Sequence, residues 1–308
     1  MSNKVLDCVI IGAGPAGVSA SVYAKRYNLD FVLLEKNSLP GGKASIPHMV
    51  ENYIGFPDGI QGYEISDRFD KHLKNLGVTV KNYDCEEIIK NDNYFELVCR
   101  SQESLLTKTI IVATGTKDKE LGIPGEVKFK GRGVSYCATC DAPFYKGKSV
   151  AVIGGGDTAL SESIYLSEFA SEVFLIHRRE NFRGAELLQE RVKNNNKIKL
   201  ILNSIPVEIE GNEFVNGLKI KNAISNDISL LSVQGVFIFA GSIPNSSFIQ
   251  KIVNLDSNGY IITDEFMETS EKGIFAAGDV RAKLLRQIVT AISDGAIAVY
   301  SIRNYLRG

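Results

Sequence analysis

The sequence predicts an α/β fold of two Rossmann-like, three-layer ββα domains, the second inserted into the first. Three observations carry this prediction. An apolar run ends in a spaced glycine cluster twice, at Gly12 and again at Gly154, an offset of 142 residues. Each cluster opens a stretch with helical apolar spacing, and each such stretch is followed by a second apolar run. The last segment, G-I-F-A-A-G-D at 273 to 279, supplies one more apolar strand ending in glycine and an acid, and it belongs with the first domain.

The first unit begins V-L-D-C-V-I-I from Val5 and runs into G-A-G-P-A-G, with Gly12, Gly14, Pro15, Ala16 and Gly17. Gly12 permits the tight turn, Gly14 lets backbone approach a pyrophosphate, and Gly17 lets helix and strand pack closely. The unpaired N–H groups at the start of the following helix then favour an anion. The run F-V-L-L ends at Glu35, 23 residues after Gly12, where a carboxylate accepts hydrogen bonds from ribose hydroxyls.

The second unit reads S-V-A-V-I-G-G-G-D-T-A, with Gly154, Gly156, Asp157, Thr158 and Ala159. His177 falls 23 residues after Gly154, in the place of Glu35, and is followed by Arg178, Arg179 and Arg183. An acid at that place pairs with free ribose hydroxyls, whereas this basic set suits a phosphate. The first site therefore reads as FAD and the second as NADPH. Each half also has a later apolar strand ending in glycine, T-I-I-V-A-T-G at 109 to 115 and G-V-F-I-F-A-G at 235 to 241. Pro- and Gly-containing polar stretches follow both and suit domain crossings. The expected division is 1–117 with 247–308 for the FAD domain and 118–246 for the NADPH domain.

Bulk composition narrows the class. The chain has 308 residues, 44% hydrophobic and 23% charged, with a formal net charge of −1. That balance gives no reason to expect nucleic acid or an anionic membrane as partner. No apolar run approaches the roughly 18–20 residues that span a bilayer, and the first is too short for a signal peptide, so a cytoplasmic protein is expected. Of the five cysteines, Cys8, Cys85 and Cys99 read as packing residues, and only Cys137 and Cys140 stand as a close pair. A zinc site needs a second paired cluster, which the remaining cysteines and His48, His72 and His177 do not supply. The expectation is a redox disulfide and no metal.

With these motifs in place, the chain resembles the low-molecular-weight thioredoxin reductases of bacteria almost end to end. The resemblance rests on G-A-G-P-A-G, P-G-G at 40 to 42, V-E-N-Y at 50 to 53, C-A-T-C-D, G-G-G-D-T-A, H-R-R-x-x-x-R, A-A-G-D and R-Q-I-V-T-A, in that order. It implies a homodimer with FAD, reduced by NADPH and reducing thioredoxin or a thioredoxin-like protein. On the same pattern Lys36, Gly41, Gly42, Lys43, Asn52, Thr114, Gly115, Gly278, Asp279, Arg286, Gln287 and Ile288 lie along the FAD. Cys140 is expected to face the flavin, Cys137 to attack the substrate disulfide, and Asp141 to carry protons for the thiols. Because the cysteines and the nicotinamide need the same flavin region, the inserted domain is expected to swing about its two crossings between half-reactions.

Two positions depart from the pattern. Lys43 stands where glutamine is usual, and a cation there is expected to favour a negatively charged reduced flavin. Ser161 stands where an acid is common. Relatives that draw electrons from ferredoxin lack the second glycine turn and the arginines, and this chain keeps both. The competing readings are a reductase of another thioredoxin-like or peroxide-reducing partner, a dithiol oxidase that would need no nicotinamide, and a flavin-bearing sensor without turnover.

Overall fold

Val5–Ile11 forms β1, whose last four residues are all buried. A strand apolar on both faces belongs in the interior of a parallel sheet covered on both sides. The computed structural model places it there, and describes residues 4–37, 39–100 and 102–308. After the glycine turn come α1 (Pro15–Arg26), β2 (Phe31–Leu34), α2 (Gly62–Asn75) and the short β3 (Val80–Lys81). β4 (Cys85–Lys90), β5 (Phe95–Cys99) and β6 (Leu105–Val112) complete the first stretch. The sheet runs β3-β2-β1-β6 in parallel, while the start of β6 pairs antiparallel with β5, and β5 with β4. The result is a parallel sheet, an antiparallel three-stranded layer and a helical layer.

The inserted unit, Asp118–Ser242, repeats this plan. It contains β7 (Val134–Ser135), α3 (Ala138–Asp141), β8 (Ser149–Gly154), α4 (Asp157–Phe169), β9 (Glu172–Ile176), α5 (Glu186–Lys193) and β10 (Ile198–Ile201). A meander of β11 (Ser204–Gly211), β12 (Val215–Asn222) and β13 (Ile228–Leu231) precedes β14 (Gly235–Phe239). The parallel order is β10-β9-β8-β14-β7, with β11-β12-β13 as the antiparallel layer. Phe237, Leu160, Leu166 and Val173 fill the core beneath α4.

The chain returns to the first unit at Ile243, where the sequence reading sets the return at 247. Asn245 already belongs to the first unit: its N–H donates to the Gly115 carbonyl, and it exchanges hydrogen bonds with Thr114 at 2.7 and 2.9 Å. β15 (Ile274–Ala276) then pairs in parallel with the end of β6, and α6 (Ile288–Tyr305) packs on α1. A Cβ on Gly295 would lie 2.1 Å from the Ala16 carbonyl oxygen, so glycine is required for that approach of the helices. Ala16, Ser19, Ala20, Ser21 and Ala24 are all buried, which explains why α1 has small residues all round instead of one apolar stripe.

Candidate active site

In the first glycine turn the backbone itself dictates glycine. Gly12 adopts φ +103°, and a Cβ there would meet the Ala113 carbonyl oxygen at 2.5 Å. A Cβ on Gly17 would sit 1.8 Å from the Gly12 oxygen. Gly14 differs: nothing lies within 4 Å of its Cβ position, so its bare face opens outward at the N-terminus of α1. The P-G-G segment folds against this point. Gly41 donates its N–H to the Ala13 carbonyl at 2.8 Å, and a Cβ on Gly42 would stand 3.3 Å from the Gly14 Cα. Lys43 follows in the same short turn of helix, Gly42–Ser45.

Glu35 is buried just beyond β2 and braces the turn. Its carboxylate accepts the Ala13 N–H at 2.8 Å and the Asn37 N–H at 2.9 Å. A carboxylate has about four lone-pair positions, so acceptor capacity remains for a hydroxyl. The Asn82 side chain donates to the carbonyls of Glu35, Lys36 and Asn37 and fixes the segment after the acid.

The return segment brings a second group of residues to the same unit. Gly278 has φ +79° and touches Ala16 of the turn: a Cβ on it would lie 2.9 Å from the Ala16 Cβ. Beside it Asp279 is half-buried, and its Oδ1 is buried without a partner among the described residues. Burial pushes the Asp279 carboxyl up, against the opposing pull of Lys283, Arg286 and Lys43. Arg286 donates to the carbonyls of Asp279 and Arg281 and lies 3.9 Å from the Tyr260 ring centre. Gln287 starts α6 with its N–H donated to Thr290, accepts from Asn52 at 3.1 Å, and is followed by Ile288, packed against the Ala44–Ile65 cluster.

The second turn is built the same way with different side chains. Gly154 has φ +155°, and a Cβ on it would meet the Ala159 Cβ and the Phe239 oxygen, both at 2.6 Å. Gly156, like Gly14, has nothing within 4 Å of its Cβ position. Asp157 and Thr158 open α4, and Asp157 accepts the Ala185 N–H at 2.7 Å. Arg183 donates its N–H to the Gly155 carbonyl at 2.7 Å, which fastens the 183–185 segment over the turn.

His177 takes a role the sequence did not reveal. It is buried with its ring against Gly155, where a Cβ would lie 2.3 Å from the imidazole, and Nε2 donates to the Asn181 carbonyl at 3.2 Å. Burial, reinforced by Arg183, Arg178 and Arg179, lowers its pKa and keeps the ring neutral. The positive charge comes from the exposed Arg178, Arg179 and Arg183, none paired with an acid among the described residues.

Cys137 and Cys140 form a disulfide directly after β7. They lie at the carboxyl edge of the sheet that carries the second glycine turn, the edge where open α/β sheets bind ligands. Cys137 is the N-cap of α3 and its Sγ accepts the Cys140 N–H at 3.2 Å, while Ser135 Oγ accepts the Cys137 N–H at 3.0 Å. Asp141 closes α3, and Cys140 is exposed while Cys137 is half-buried.

The sequence reading missed Glu162. Burial pushes the carboxyl of this acid on α4 up to about 7, against the opposing pull of the backbone N–H of Thr139, inside the C-A-T-C turn. Glu162 Oε2 and Thr139 Oγ1 are both buried without partners among the described residues.

The comparisons with known proteins agree with this construction. The pyridine nucleotide-disulphide oxidoreductase family matches residues 6–295, and the chain belongs to that family. The chain is 41% identical over 305 residues to a thioredoxin reductase of Bacillus subtilis, covering 99% of this chain and 96% of that one. It is 38% identical over 308 residues to a thioredoxin reductase of Helicobacter pylori, covering 98% and 99%. Its fold matches the crystal structure of Lactococcus lactis thioredoxin reductase (FR conformation) with a TM-score of 0.95 at 38% identity, over 98% of this chain and 99% of that chain. The match to T. acidophilum thioredoxin reductase has a TM-score of 0.94 at 35% identity, over 99% and 100%. Within the family, the chain sits with the low-molecular-weight bacterial thioredoxin reductases, enzymes that use a flavin and a nicotinamide nucleotide.

Proposed function

We propose that this chain is an NADPH-dependent, FAD-containing reductase of the disulfide of thioredoxin or a thioredoxin-like protein, acting as a homodimer in the cytoplasm. The observation that carries the reading is the Cys137–Cys140 disulfide at the carboxyl edge of the sheet that also holds the second glycine turn. Residues up to 117 with the returning C-terminal segment form the FAD domain, and the inserted unit forms the NADPH domain. No helix among the described residues is long and apolar enough to cross a membrane.

The first unit suits FAD on several counts. Gly14 and Gly42 leave backbone bare beside the α1 N-terminus, where a pyrophosphate is favoured. Asp279 Oδ1, buried without a partner among the described residues, is an acceptor for a ligand hydroxyl, and Glu35 retains acceptor capacity for a ribose. The second unit suits NADPH: Gly156 is open, the α4 N-terminus receives phosphate, and Arg178, Arg179 and Arg183 supply charge-assisted donors for a 2′-phosphate. His177 contributes shape instead of charge.

Bound flavin supplies the means to accept a hydride and deliver two electrons to a disulfide. The chain's own residues do the rest. Once the pair is reduced, the Cys140 N–H stabilises a thiolate on Cys137 and so makes it the better nucleophile. Cys137 attacks the partner disulfide and releases one partner sulfur as thiolate. Cys140 then attacks Cys137 in the mixed disulfide, which releases the second partner sulfur and restores the Cys137–Cys140 bond. Asp141 takes the Cys140 proton and returns it to the departing sulfur. The inserted unit turns about its two crossings between the half-reactions.

The test is NADPH-dependent reduction of a panel of thioredoxin-like proteins by the holoenzyme. Cys137→Ser and Cys140→Ser are each expected to retain flavin and NADPH binding while turnover falls by about 10³ or more, as for loss of a covalent nucleophile. Retained turnover in either variant, or colourless protein that refuses reconstitution with FAD, overturns the reading.

A further inference from the structure

Three thiols lie outside the catalytic pair, and two of them meet. Cys85 on β4 and Cys99 on β5 are directly opposed in the antiparallel register. The neighbouring pair carries a ladder bond, with the Arg100 N–H donating to the Asp84 carbonyl at 2.9 Å. Antiparallel ladders alternate, so Cys85 and Cys99 fall at a non-hydrogen-bonded site, where opposed Cα atoms stand about 4.5 Å apart and side chains approach closest. A disulfide spans Cα separations of about 4.4–6.8 Å. Opposed residues share one face of the sheet, which puts the two thiols side by side, with Cys85 donating to its own strand's Glu87 carbonyl at 3.7 Å and Cys99 to the Leu97 carbonyl at 4.0 Å. The ladder shifts register immediately after this pair, between Cys85 and Glu87, and such a bulge gives the strand local freedom to adjust.

We propose that Cys85 and Cys99 are a second redox site, which a hydroperoxide converts to a cross-strand disulfide independently of the catalytic cystine. Cys99 is buried against β4 whereas Cys85 is half-buried, so the pair is reachable from one side. The neighbouring Cys85 thiol draws the Cys99 pKa down and is itself raised, so when the pair ionises it is Cys99 that becomes the thiolate. That thiolate attacks one peroxide oxygen. A sulfur–oxygen bond forms, the oxygen–oxygen bond breaks, and the departing alkoxide takes up a proton to become an alcohol. The second thiol then attacks the sulfenic sulfur, forming the sulfur–sulfur bond and releasing water. The two thiols lose two electrons and the hydroperoxide gains them. Cys8, wholly buried in β1 with its thiol pushed up to about 12, takes no part and serves as an internal control.

The sequence makes the test direct, because Lys81, Lys90 and Arg100 place the two cysteines in separate tryptic peptides, 82–90 and 91–100. The holoenzyme is treated with hydrogen peroxide, denatured in an alkylating agent and digested without reductant. The expected result is one species joining 82–90 to 91–100, which separates on addition of dithiothreitol, while Cys8 is recovered alkylated. Cys85→Ser and Cys99→Ser should each abolish that species and leave NADPH-dependent turnover unchanged. Recovery of Cys85 and Cys99 as separate alkylated thiols, or as separate sulfinic acids, under conditions that oxidise Cys137 and Cys140 completely would overturn the proposal.

Discussion

The two glycine turns follow one plan and differ in what braces it. In the first unit the brace is Glu35, whose carboxylate is hydrogen-bonded to the turn at Ala13. In the second it is His177, a neutral ring lying on Gly155 and held by Asn181. Both residues end the second strand of their unit, and in both the first task of the position is to fix the turn. On the function proposed here, selectivity for the nucleotide is then supplied by different means. Glu35 itself can accept from a hydroxyl, whereas the second unit keeps its charge on exposed arginines beside a histidine that has none to offer. A residue that occupies a recognition position by spacing is thus also part of the wall.

The sharpest way to break this equivalence is to exchange the third residue of each turn. Gly17 has no room for a methyl, since its Cβ would lie 1.8 Å from the Gly12 oxygen, but the second turn already carries Ala159 at that place. Gly17→Ala is expected to destabilise the first unit by more than about 4 kcal/mol, in the range of severe backbone conflict, and to yield protein without flavin. Ala159→Gly should cost only about 1 kcal/mol through helix propensity. Flavin absorbance and denaturant unfolding measure both, and a stable yellow Gly17→Ala protein would mean that the turn adapts.

The next contrast lies one turn further along each helix, where α1 has Ala20 and α4 has Glu162. The pKa of Glu162 is raised by burial to about 7 from an ordinary carboxyl value. A group held protonated in the folded state contributes stability that is fully present below its unfolded pKa and lost as pH rises through its folded pKa. Unfolding free energy of the inserted unit should therefore fall between about pH 4.5 and 7 by up to ~3 kcal/mol and level off above. Glu162→Gln should flatten that slope and be more stable than the parent at pH 8. Denaturant titrations at pH 5 and pH 8 decide, and parallel pH profiles for the two proteins would refute the assignment.

A smaller effect separates charge from shape in the second turn. Arg183→Ala, or the same change at Arg178, should lower kcat/KM for NADPH by about 1.5–3 kcal/mol, roughly 10- to 160-fold, as for a charge-assisted hydrogen bond. The value for NADH should scarcely move. His177→Phe keeps an aromatic ring against Gly155, so it should preserve the preference for NADPH over NADH. Loss of that preference in His177→Phe would return the charge role to the histidine.

The two turns, the insertion and the cystine were legible because each is written in contiguous residues with a strict spacing: the glycines, the strand ends and C-A-T-C. Glu162 was not, because a glutamate in a helix with mixed composition reads as a solvent-facing residue until α3 is laid over it. The apposition of Cys85 and Cys99 was hidden for a related reason. Their separation in sequence fits any hairpin, and the register that opposes them is set by the ladder and its bulge. The buried clamp at Asp294 escaped as well, although it binds Arg281 at 3.0 Å, Lys283 at 2.7 Å and the Gly278 N–H at 2.9 Å. Its partners come from a different loop, and a lone acid in an apolar helix gives no sign of which cations it will meet.

The smallest expected effect concerns Lys43, the cation that has no counterpart in the second turn. Its charge acts on Asp279, whose carboxyl it pulls down against burial, so the field it could exert on a bound flavin is partly spent on a neighbouring acid. Replacing it by glutamine should still disfavour negative charge on the reduced flavin, but only modestly. The midpoint potential of Lys43→Gln is expected to fall by less than about 30 mV, which for a two-electron couple is about 1.4 kcal/mol. The double variant Lys43→Gln with Asp279→Asn should show a different shift from the sum of the singles, because the two groups interact. Spectroelectrochemical titration of the four proteins measures both quantities. An unchanged potential in Lys43→Gln would mean that Lys43 does not act on the flavin, and additive singles would mean that it does not act through Asp279 either.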